Sequence, residues 1–294
     1  MIDLFYLKTF VAATKTRSFR VAAERNFITQ PAVSQHVRIL EKKLGAILFE
    51  RRGKSVALTP AGETFLPYAE NILKQYEEAR IKVSEIDNKF NGTIRIATIY
   101  SIGLYELQPT IGKFLKKYPE VNLHVEYHQN VTIYEMVSNR VIDFGFVAFP
   151  QKKNGVVSDI FVEDRLVLVQ APSQRILKER NIPLEGLNDV KFISFSPHTP
   201  TGKTIYQFLQ KKKIHPCVIQ DYDNIELVKS AVIVGMGCGI LPQNAIAREL
   251  KNKSLELVNL KGFDLRRPLG ILYPKGKIFT KSTRTFYEMV LAQR

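Results

Sequence analysis

The sequence is poor in cysteine and contains no tryptophan. Only Cys217 and Cys238 occur in 294 residues, too few for a disulfide framework, so a reducing cytoplasm is the expected compartment. No apolar run approaches the roughly 20 residues that a membrane span needs. The start of the chain, MIDLFYLKTF, lacks a basic region followed by a long apolar core, which predicts no signal peptide. These absences argue against the secreted, disulfide-stapled and membrane-embedded classes of protein.

Catalytic and metal-binding motifs are also missing. The sequence has no Gly-x-Ser-x-Gly, Walker loop or Cys-x-x-Cys. The glycines at 235, 237 and 239 follow a predicted helix instead of a strand, which does not fit a dinucleotide-binding loop. His124 and His128 lie on a predicted strand about 13 Å apart, too far for one metal ion. We therefore expect no enzyme activity, no metal and no cofactor.

Acidic residues are scarce, above all at the start of the chain. The formal net charge is +15. Residues 1–60 contain 11 Lys and Arg against 4 Asp and Glu, a positive density typical of a module that binds phosphates. Residues 91–294 contain 28 against 18, and this excess is scattered. The distribution favours a nucleic-acid partner held by the N-terminal part.

Residues 30–45 have the pattern of an amphipathic helix. The apolar residues at helical spacing, which predict its buried face, are Val33, Val37, Leu40 and Leu44. Thr29 suits the N-cap, Pro31 the first turn and Gly45 the position after the last turn. A shorter helix capped by Ser18 precedes it, and the short link at residues 26–28 makes the pair a helix-turn-helix.

The other face of this helix carries short or forked hydrogen-bonding side chains. They are Gln30, Ser34, Gln35 and Arg38. Gln and Arg pair bidentately with adenine and guanine edges in a major groove. We predict that this is a recognition helix, entered at Pro31; the alternative is a buried helical hairpin with a polar outer face.

Two short apolar runs with a basic turn between them follow Gly45. This pattern predicts a two-stranded wing. Arg51, Arg52 and Lys54 would lie at its tip, where they are predicted to hold phosphates or enter a minor groove. The alternative is a solvated basic turn.

These residues resemble the LysR-type transcriptional regulators of bacteria. The matches are Ala22-Ala23, residues 29–34, Leu40-Glu41, Leu44-Gly45, Leu48-Phe49, Arg51 and residues 58–62; Asn26 departs from the family, which usually has a buried Leu there. The resemblance covers nearly the whole chain. It implies a winged helix-turn-helix domain at 1–60, a linker helix at 61–90 and an effector-binding domain at 91–294. It also implies a homotetramer, a dimer of dimers that bends promoter DNA, with RNA polymerase as a further candidate partner.

The segment after the wing predicts a long helix with a dimerisation seam. Its apolar residues step by four and three: Phe65, Ala69, Ile72, Tyr76, Ala79, Val83 and Ile86. A heptad seam on a helix about 40 Å long favours a partner helix from a second copy. The alternative is packing against the protein's own body.

Alternating strands and helices after Asn91-Gly92 predict an α/β domain with parallel sheets. Strands are expected at 93–98, 122–127, 144–149, 165–171, 191–195, 217–222 and 269–273, and helices at 103–117, 132–140, 203–213, 224–234 and 280–292. The order suggests two lobes, as in periplasmic binding proteins. Lobe one would comprise residues 91–162 and 268–294, and lobe two residues 163–267.

Hydroxyl side chains at equivalent places in the two lobes predict a ligand site. Ser101 follows the first strand of lobe one, and Thr199 and Thr201 stand at the matching place in lobe two. Hydroxyls and free N–H groups at helix starts suit a carboxylate, sulfate or phosphate; the alternative is that each hydroxyl caps its own helix. The family resemblance adds Tyr100, Ile102, Gln129 and Phe149 to this cleft.

The sequence thus predicts a sequence-specific regulator of the LysR type that responds to a small anionic effector. Two alternatives stay open at this point. One is an architectural DNA-binding protein without an effector. The other is a solute-binding protein or α/β enzyme with a basic N-terminal extension.

Overall fold

The computed structural model describes residues 3–52, 55–86, 90–179 and 181–293. The chain divides into an N-terminal unit, residues 1–89, and a C-terminal unit, residues 90–294. Separate clusters of buried apolar side chains lie within each unit.

Four helices and a two-stranded hairpin form the N-terminal unit. They are α1 (Leu4–Thr16), α2 (Phe19–Asn26), α3 (Gln30–Leu44), β1 (Phe49–Arg52), β2 (Ser55–Leu58) and α4 (Pro60–Ile86). The predicted caps are confirmed: Ser18 accepts a hydrogen bond from the N–H of Val21, and Thr29 from that of Ala32. Each cap satisfies an amide that the helix itself leaves free.

The inner face of α3 packs against α1 and the hairpin. Val33 and Leu40 are fully buried and Val37 is nearly so, as predicted. The prediction for Leu44 was wrong: its side chain is 38% exposed. Leu44 is the last residue of α3 and borders a surface groove with Leu48 and Phe65 instead of entering the core.

The hairpin β1–β2 is the predicted wing, and α3 holds it directly. Phe49 pairs with Leu58 in the antiparallel ladder. The carboxylate of Glu41 accepts hydrogen bonds from the backbone N–H groups of Leu48, at 2.8 Å, and Phe49, at 3.3 Å. The tip, residues 53–54 with Lys54, lies outside the described residues.

The start of α4 fits closely against the base of the wing. The Thr59 hydroxyl donates to the carbonyl of Ile47 at 2.6 Å and accepts from the N–H of Gly62 at 3.1 Å. A Cβ atom at Gly62 would lie 2.2 Å from the Leu48 carbonyl oxygen, so only glycine fits. The helix continues through Pro67; its predicted end near residue 88 lies outside the described residues.

The C-terminal unit alternates strands and helices. Its strands are β3 (Gly92–Thr98), β4 (Val121–Tyr127), β5 (Phe144–Ala148), β6 (Val156–Gln170), β7 (Asn181–Ile182), β8 (Lys191–Phe195), β9 (Cys217–Tyr222), β10 (Cys238–Pro242), β11 (Glu256–Leu260) and β12 (Leu265–Pro274). Its helices are α5 (Gln108–Lys117), α6 (Asn130–Ser138), α7 (Pro200–Lys211), α8 (Ile225–Ile233), α9 (Ala247–Lys251) and α10 (Lys281–Leu291).

One continuous sheet links two lobes, in the order β4-β3-β5-β12-β6-β10-β8-β9, with β11 also paired to β6. The outer strands are parallel, as predicted. The prediction of parallel sheets does not extend to the centre, where β6 and β12 run antiparallel to each other and to their outer neighbours. The reason is that these two strands carry the chain across the lobes in opposite directions.

The crossing occurs where the sequence suggested it, since Glu163 pairs with Pro268 and Asp164 with Arg267. Lobe one has a core that includes Ile94, Phe114, Phe146, Leu269 and Phe286. Lobe two has a core that includes Leu168, Phe192, Ile205, Val228 and Ile240. The C-terminal segment therefore completes lobe one.

One predicted helix is interrupted, and several short elements were missed. The helix expected at 103–117 is a π-helical turn, Ile102–Glu106, followed by α5. Pro109 in the first turn of α5 lacks the N–H that a continuous helix would need. The sequence analysis did not predict β7, β10, β11 or α9.

Candidate functional site

The outer face of α3 presents polar side chains to solvent. Gln30, Pro31, Gln35 and Arg38 are exposed and Ser34 is half-buried. The Gln30 amide donates to the Ser34 hydroxyl at 2.9 Å, so these two side chains are already ordered relative to each other. No acidic residue lies in the first turn of α3, which leaves the positive end of the helix dipole available to an anion.

His36 fixes α3 against α1 behind this face. Its Nδ1 atom lies 3.1 Å from the Thr9 hydroxyl, which donates to the carbonyl of Phe5. The imidazole also packs on the rings of Phe5 and Tyr6, with centroids 5.4 and 4.7 Å away. The polar face of α3 is thus backed by a packed and hydrogen-bonded layer.

The wing stands next in the chain. Arg51 pairs with Val56 and Arg52 with Ser55 in the backbone ladder. Both arginines therefore belong to the end of the hairpin, although their side chains lie outside the described part.

An apolar stripe runs along the exposed side of α4. Its members are Tyr68, Ile72, Tyr76, Ala79 and Val83, all solvent-exposed. Two predicted seam residues do not belong to it: Ala69 is fully buried, and Phe65 packs on Phe10 at a centroid distance of 5.3 Å. These two anchor α4 to its own unit, and Tyr68 continues the exposed stripe instead. The side chain of Ile86 lies outside the described part.

A cavity of about 240 Å³ lies between the two lobes. Lobe one contributes Gln129, Asn130, Val131, Tyr134, Phe149 and Gln151, and lobe two contributes His198, Thr199 and Pro200. Tyr134 is held in place by Gln151: its hydroxyl donates to the Gln151 carbonyl at 3.1 Å and accepts from the Gln151 N–H at 2.6 Å. Burial raises the pKa of Tyr134, so the phenol is neutral at ordinary pH.

Two helices begin at this cavity, α6 from lobe one and α7 from lobe two. Gln129 is the N-cap of α6, and its side chain makes no capping hydrogen bond. Thr199 is the N-cap of α7 and accepts from the N–H of Gly202 at 3.0 Å. Among the described lining residues only His198 can carry a positive charge. The arrangement suits a small polar molecule with negative charge.

A buried ion pair joins the crossing strands near Ser101. Arg267 donates to Asp164 at 2.9 Å and to the Ser101 hydroxyl at 3.1 Å. Arg267 and Asp164 are each 2% exposed. The Ser101 hydroxyl therefore contacts a strand that crosses between the lobes.

Two family models match consecutive parts of the chain. The helix-turn-helix model of bacterial regulatory proteins of the lysR family matches residues 4–63, and the LysR substrate binding domain model matches residues 87–294. The chain belongs to the LysR family. It is a DNA-binding transcriptional regulator with a domain for a small effector.

Relatives in the LysR family match along almost their whole length. A probable RuBisCO transcriptional regulator of Thalassiosira pseudonana is 30% identical, over 96% of this chain and 94% of that protein. The transcriptional activator CmpR of Synechocystis sp. is 28% identical, over 98% of this chain and 95% of that protein.

Solved LysR-family structures share the fold. CbnR in complex with its target DNA is 20% identical, with a TM-score of 0.60 and 99% of both chains covered. The regulatory domain of Synechocystis CcmR in complex with 2-PG is 22% identical, with a TM-score of 0.62, and covers 69% of this chain and 97% of that one.

Of the seven residues predicted for the effector site, the cavity brings together Gln129, Phe149 and Thr199. The other four do not line it. Ile102 is fully buried and Thr201 is 6% exposed, so both belong to the packed interior. Ser101 is hydrogen-bonded to Arg267. Tyr100 stacks on Tyr127 at a centroid distance of 5.0 Å. The alternative of simple capping fits Thr199 but not Ser101, whose side chain makes no capping hydrogen bond.

The sequence analysis missed six lining residues. They are Asn130, Val131, Tyr134, Gln151, His198 and Pro200. Three of them adjoin residues that were predicted: Asn130 follows Gln129, and His198 and Pro200 flank Thr199. Their position beside a predicted site residue was therefore the signal that could have identified these three. Nothing in the sequence marked Tyr134 or Gln151.

Two further observations bear on the rejected functions. Within the described ranges, every helix is too short or too polar to cross a membrane. The imidazoles of His124 and His128 both approach Glu126, at 3.0 and 2.9 Å. The two histidine side chains thus lie closer together than the strand spacing suggested. The hydrogen bond from His128, and next the one from His124, lower the pKa of Glu126.

Proposed function

We propose that this LysR-family regulator reads promoter DNA with α3 and responds to a small anionic effector bound between the lobes of its C-terminal unit. The observation that carries the effector assignment is the cavity into which α6 and α7 both direct their N-termini. The proposed effector residues are those that line this cavity, with Gln129, Thr199 and His198 as its polar contacts.

On the DNA side, Gln30, Ser34, Gln35 and Arg38 would face base edges in the major groove. Arg51 and Arg52 would hold the wing to the phosphate backbone. The exposure of the α3 face and the packed layer behind it support this assignment. The solved complex of CbnR with its target DNA makes a short duplex the appropriate probe.

A second copy of the chain would cover the stripe on α4. Side chains such as Tyr76, which is 53% exposed, and Val83, which is 66% exposed, are costly to leave in water. A dimer brings two recognition helices to two half-sites related by a two-fold axis. Two such dimers would form the homotetramer.

The same proposal makes the protein a binding switch in the cytoplasm, with no catalytic step and no cofactor besides the effector. An effector acts by preferring one arrangement of the lobes, since equal affinity for both would shift nothing.

A thermal-shift screen on residues 90–294 tests the effector assignment. The panel consists of small carboxylates, phosphates and sulfates, with 2-PG first because CcmR was solved with it. At a concentration near 100 times its Kd, a true effector adds about 2.7 kcal/mol, which raises the Tm of a domain of this size by about 5–10 °C.

The matched variants are His198→Ala, inside the cavity, and His215→Ala, an exposed histidine of the same lobe outside it. The shift should shrink only in His198→Ala. If every compound class leaves the Tm unchanged, the assignment of a small anionic effector to this cavity is wrong.

A further inference from the structure

Tyr105 is a residue of lobe one whose side chain contacts lobe two. It lies on the π-helical turn Ile102–Glu106 of lobe one. Its ring nevertheless packs against the buried apolar cluster of lobe two. A π-helical turn is rare and occurs frequently at functional sites.

The Tyr105 hydroxyl ends in a group of charged side chains on lobe two. Lys229 of α8 donates to it at 2.6 Å, and the hydroxyl in turn donates to the carboxylate of Glu226. The Lys229 ammonium also lies 5.0 Å from the centroid of the Tyr105 ring. Both the polar and the apolar part of this tyrosine are therefore bound to the other lobe.

Lys229 is an unusually well-fixed partner. It is 6% exposed and pairs with Glu226 and with Glu249, each at 3.1 Å. Burial alone would lower the pKa of Lys229, but its hydrogen bonds with Tyr105 and the two carboxylates raise it. The ammonium thus remains charged, and a buried charge holds its hydrogen-bond partners tightly.

The neighbouring residues of the same turn also cross between lobes. Glu106 accepts two hydrogen bonds from the Asn244 amide, at 3.2 and 3.3 Å. Ser101, just before the turn, accepts one from Arg267 on the crossing strand β12. The segment 101–106 therefore contacts lobe two at several points, and the Tyr105 ring packs on the buried cluster of that lobe.

We propose that Tyr105 is a positioning residue for the effector cavity. The cavity has one wall on each lobe, so the separation of Gln129 from Thr199 depends on the angle that Tyr105 and Lys229 hold. This inference rests on the proposed function, because it assumes that the cavity binds the effector. The contact of Tyr105 with Lys229 and Glu226 can be tested without effector or DNA.

The test measures the distance between the lobes by pulsed electron spin resonance in the full-length protein. Cys217 of lobe two is exposed and Cys238 is buried, so a spin label reaches the first and spares the second. Lys116→Cys on lobe one, at an exposed position, supplies the second label. Dilution with unlabelled chains restricts the signal to distances within one chain.

In this background Tyr105→Phe keeps the ring and removes the hydroxyl. A hydrogen bond to a charged group is worth about a tenfold change in an equilibrium. In wild type, most molecules should share one main lobe-to-lobe distance. We expect the number of molecules at this distance, divided by the number at all other distances, to fall about tenfold in the variant. Glu226→Gln, which keeps the size of the side chain, should change the ratio in the same direction.

Tyr287→Phe is the matched control, because the Tyr287 hydroxyl also donates to a carboxylate, that of Asp159 at 2.7 Å, but within lobe one. It should leave the distance distribution unchanged. If Tyr105→Phe and Glu226→Gln both give the wild-type distribution, the positioning role is refuted. The effector screen would be unaffected by that result, so the two proposals fail separately.

Discussion

Arg38 is the side chain on which sequence recognition is predicted to depend most. It is exposed on α3, so Arg38→Ala should leave the fold intact. A bidentate contact to guanine is worth about 1–3 kcal/mol of discrimination. We expect that loss on the specific operator and almost none on random DNA, measured by fluorescence anisotropy on both duplexes.

Arg52→Ala provides the contrast, because a phosphate contact carries no sequence information. It should weaken binding to both duplexes and reduce the slope of log K against log salt by about one unit. An Arg38→Ala protein with unchanged sequence preference would mean that α3 does not read the bases as proposed.

Glu106 gives a pH-dependent prediction. Burial, the largest effect, raises the pKa of this carboxyl in the folded protein, and the nearby charge of Asp164 adds to it, whereas the Asn244 hydrogen bond and Arg267 act against it. A carboxyl with a raised folded pKa stabilises the fold below its unfolded pKa, and this contribution is lost as pH rises through the folded value.

Glu106→Gln removes that titration. The Tm of the variant relative to wild type should therefore be highest near about pH 8. It should decline towards about pH 4, where the Glu106 carboxyl of the wild type takes up a proton in the unfolded protein as well as in the folded one. Glu120→Gln, at an exposed position of the same lobe, should show no such trend. A variant that is equally destabilised throughout this range would contradict the assignment.

At the residue scale, the sequence predicted best where one residue has one local task. Ser18 and Thr29 cap helices and Gly45 ends one, because such roles depend only on neighbouring backbone. The effector site was predicted in part. Gln151 and Tyr134 line the cavity through tertiary contacts, which no local pattern in a single sequence records.

Among the elements, the turn of the helix-turn-helix is strained at Phe27. Its φ is +54° and its side chain is 96% exposed. A side chain other than glycine costs roughly 1–2 kcal/mol in this left-handed conformation. Phe27→Gly should therefore stabilise the N-terminal unit by about 1 kcal/mol, observed as a higher urea midpoint. Phe27→Val, which tolerates this conformation worse, should lower it, and the opposite order would show that the ring itself stabilises the turn.

The stripe on α4 gives a prediction about assembly. Tyr76→Glu places a charge on the stripe, whereas Gln75→Glu places the same charge one residue away, on a different side of α4. We expect at least a tenfold weaker dimer, about 1.4 kcal/mol, for Tyr76→Glu only. Sedimentation velocity over a dilution series measures it. Equal effects of the two variants would locate the dimer contact elsewhere.

Elements with a clear period and a buried face were predictable, and β8 and β9 have the expected bounds. Deviations arose where tertiary pairing overrides local signals. Glycine is unfavourable inside strands, so Gly237 and Gly239 gave no strand signal, yet β10 is buried between β6 and β8. Among the described side chains of α4, those that pack in the core of its own unit, such as Phe65, Ala69 and Leu73, lie in its first half, which the uniform heptad pattern did not reveal.

For the whole molecule, the Arg267–Asp164 pair is a central contact between the crossing strands. Arg267→Met would leave Asp164 buried without its partner, which typically costs about 3–5 kcal/mol. The double variant Arg267→Met, Asp164→Leu should recover a large part of this loss, because no unpaired charge remains. Urea unfolding of residues 90–294 measures both. If the double variant is no more stable than Arg267→Met alone, the unpaired charge of Asp164 does not account for the loss.

The return of β12 and α10 to lobe one also sets an order of events during synthesis. Lobe two is complete once about residue 263 has left the ribosome, whereas the core of lobe one lacks Leu269, Phe286 and Val290 until Val290 has also been made. We expect the lobe that is translated second to fold first. Messages truncated before the codons of α10 would therefore yield proteins whose lobe-one sheet exposes apolar side chains, which cellular proteases remove.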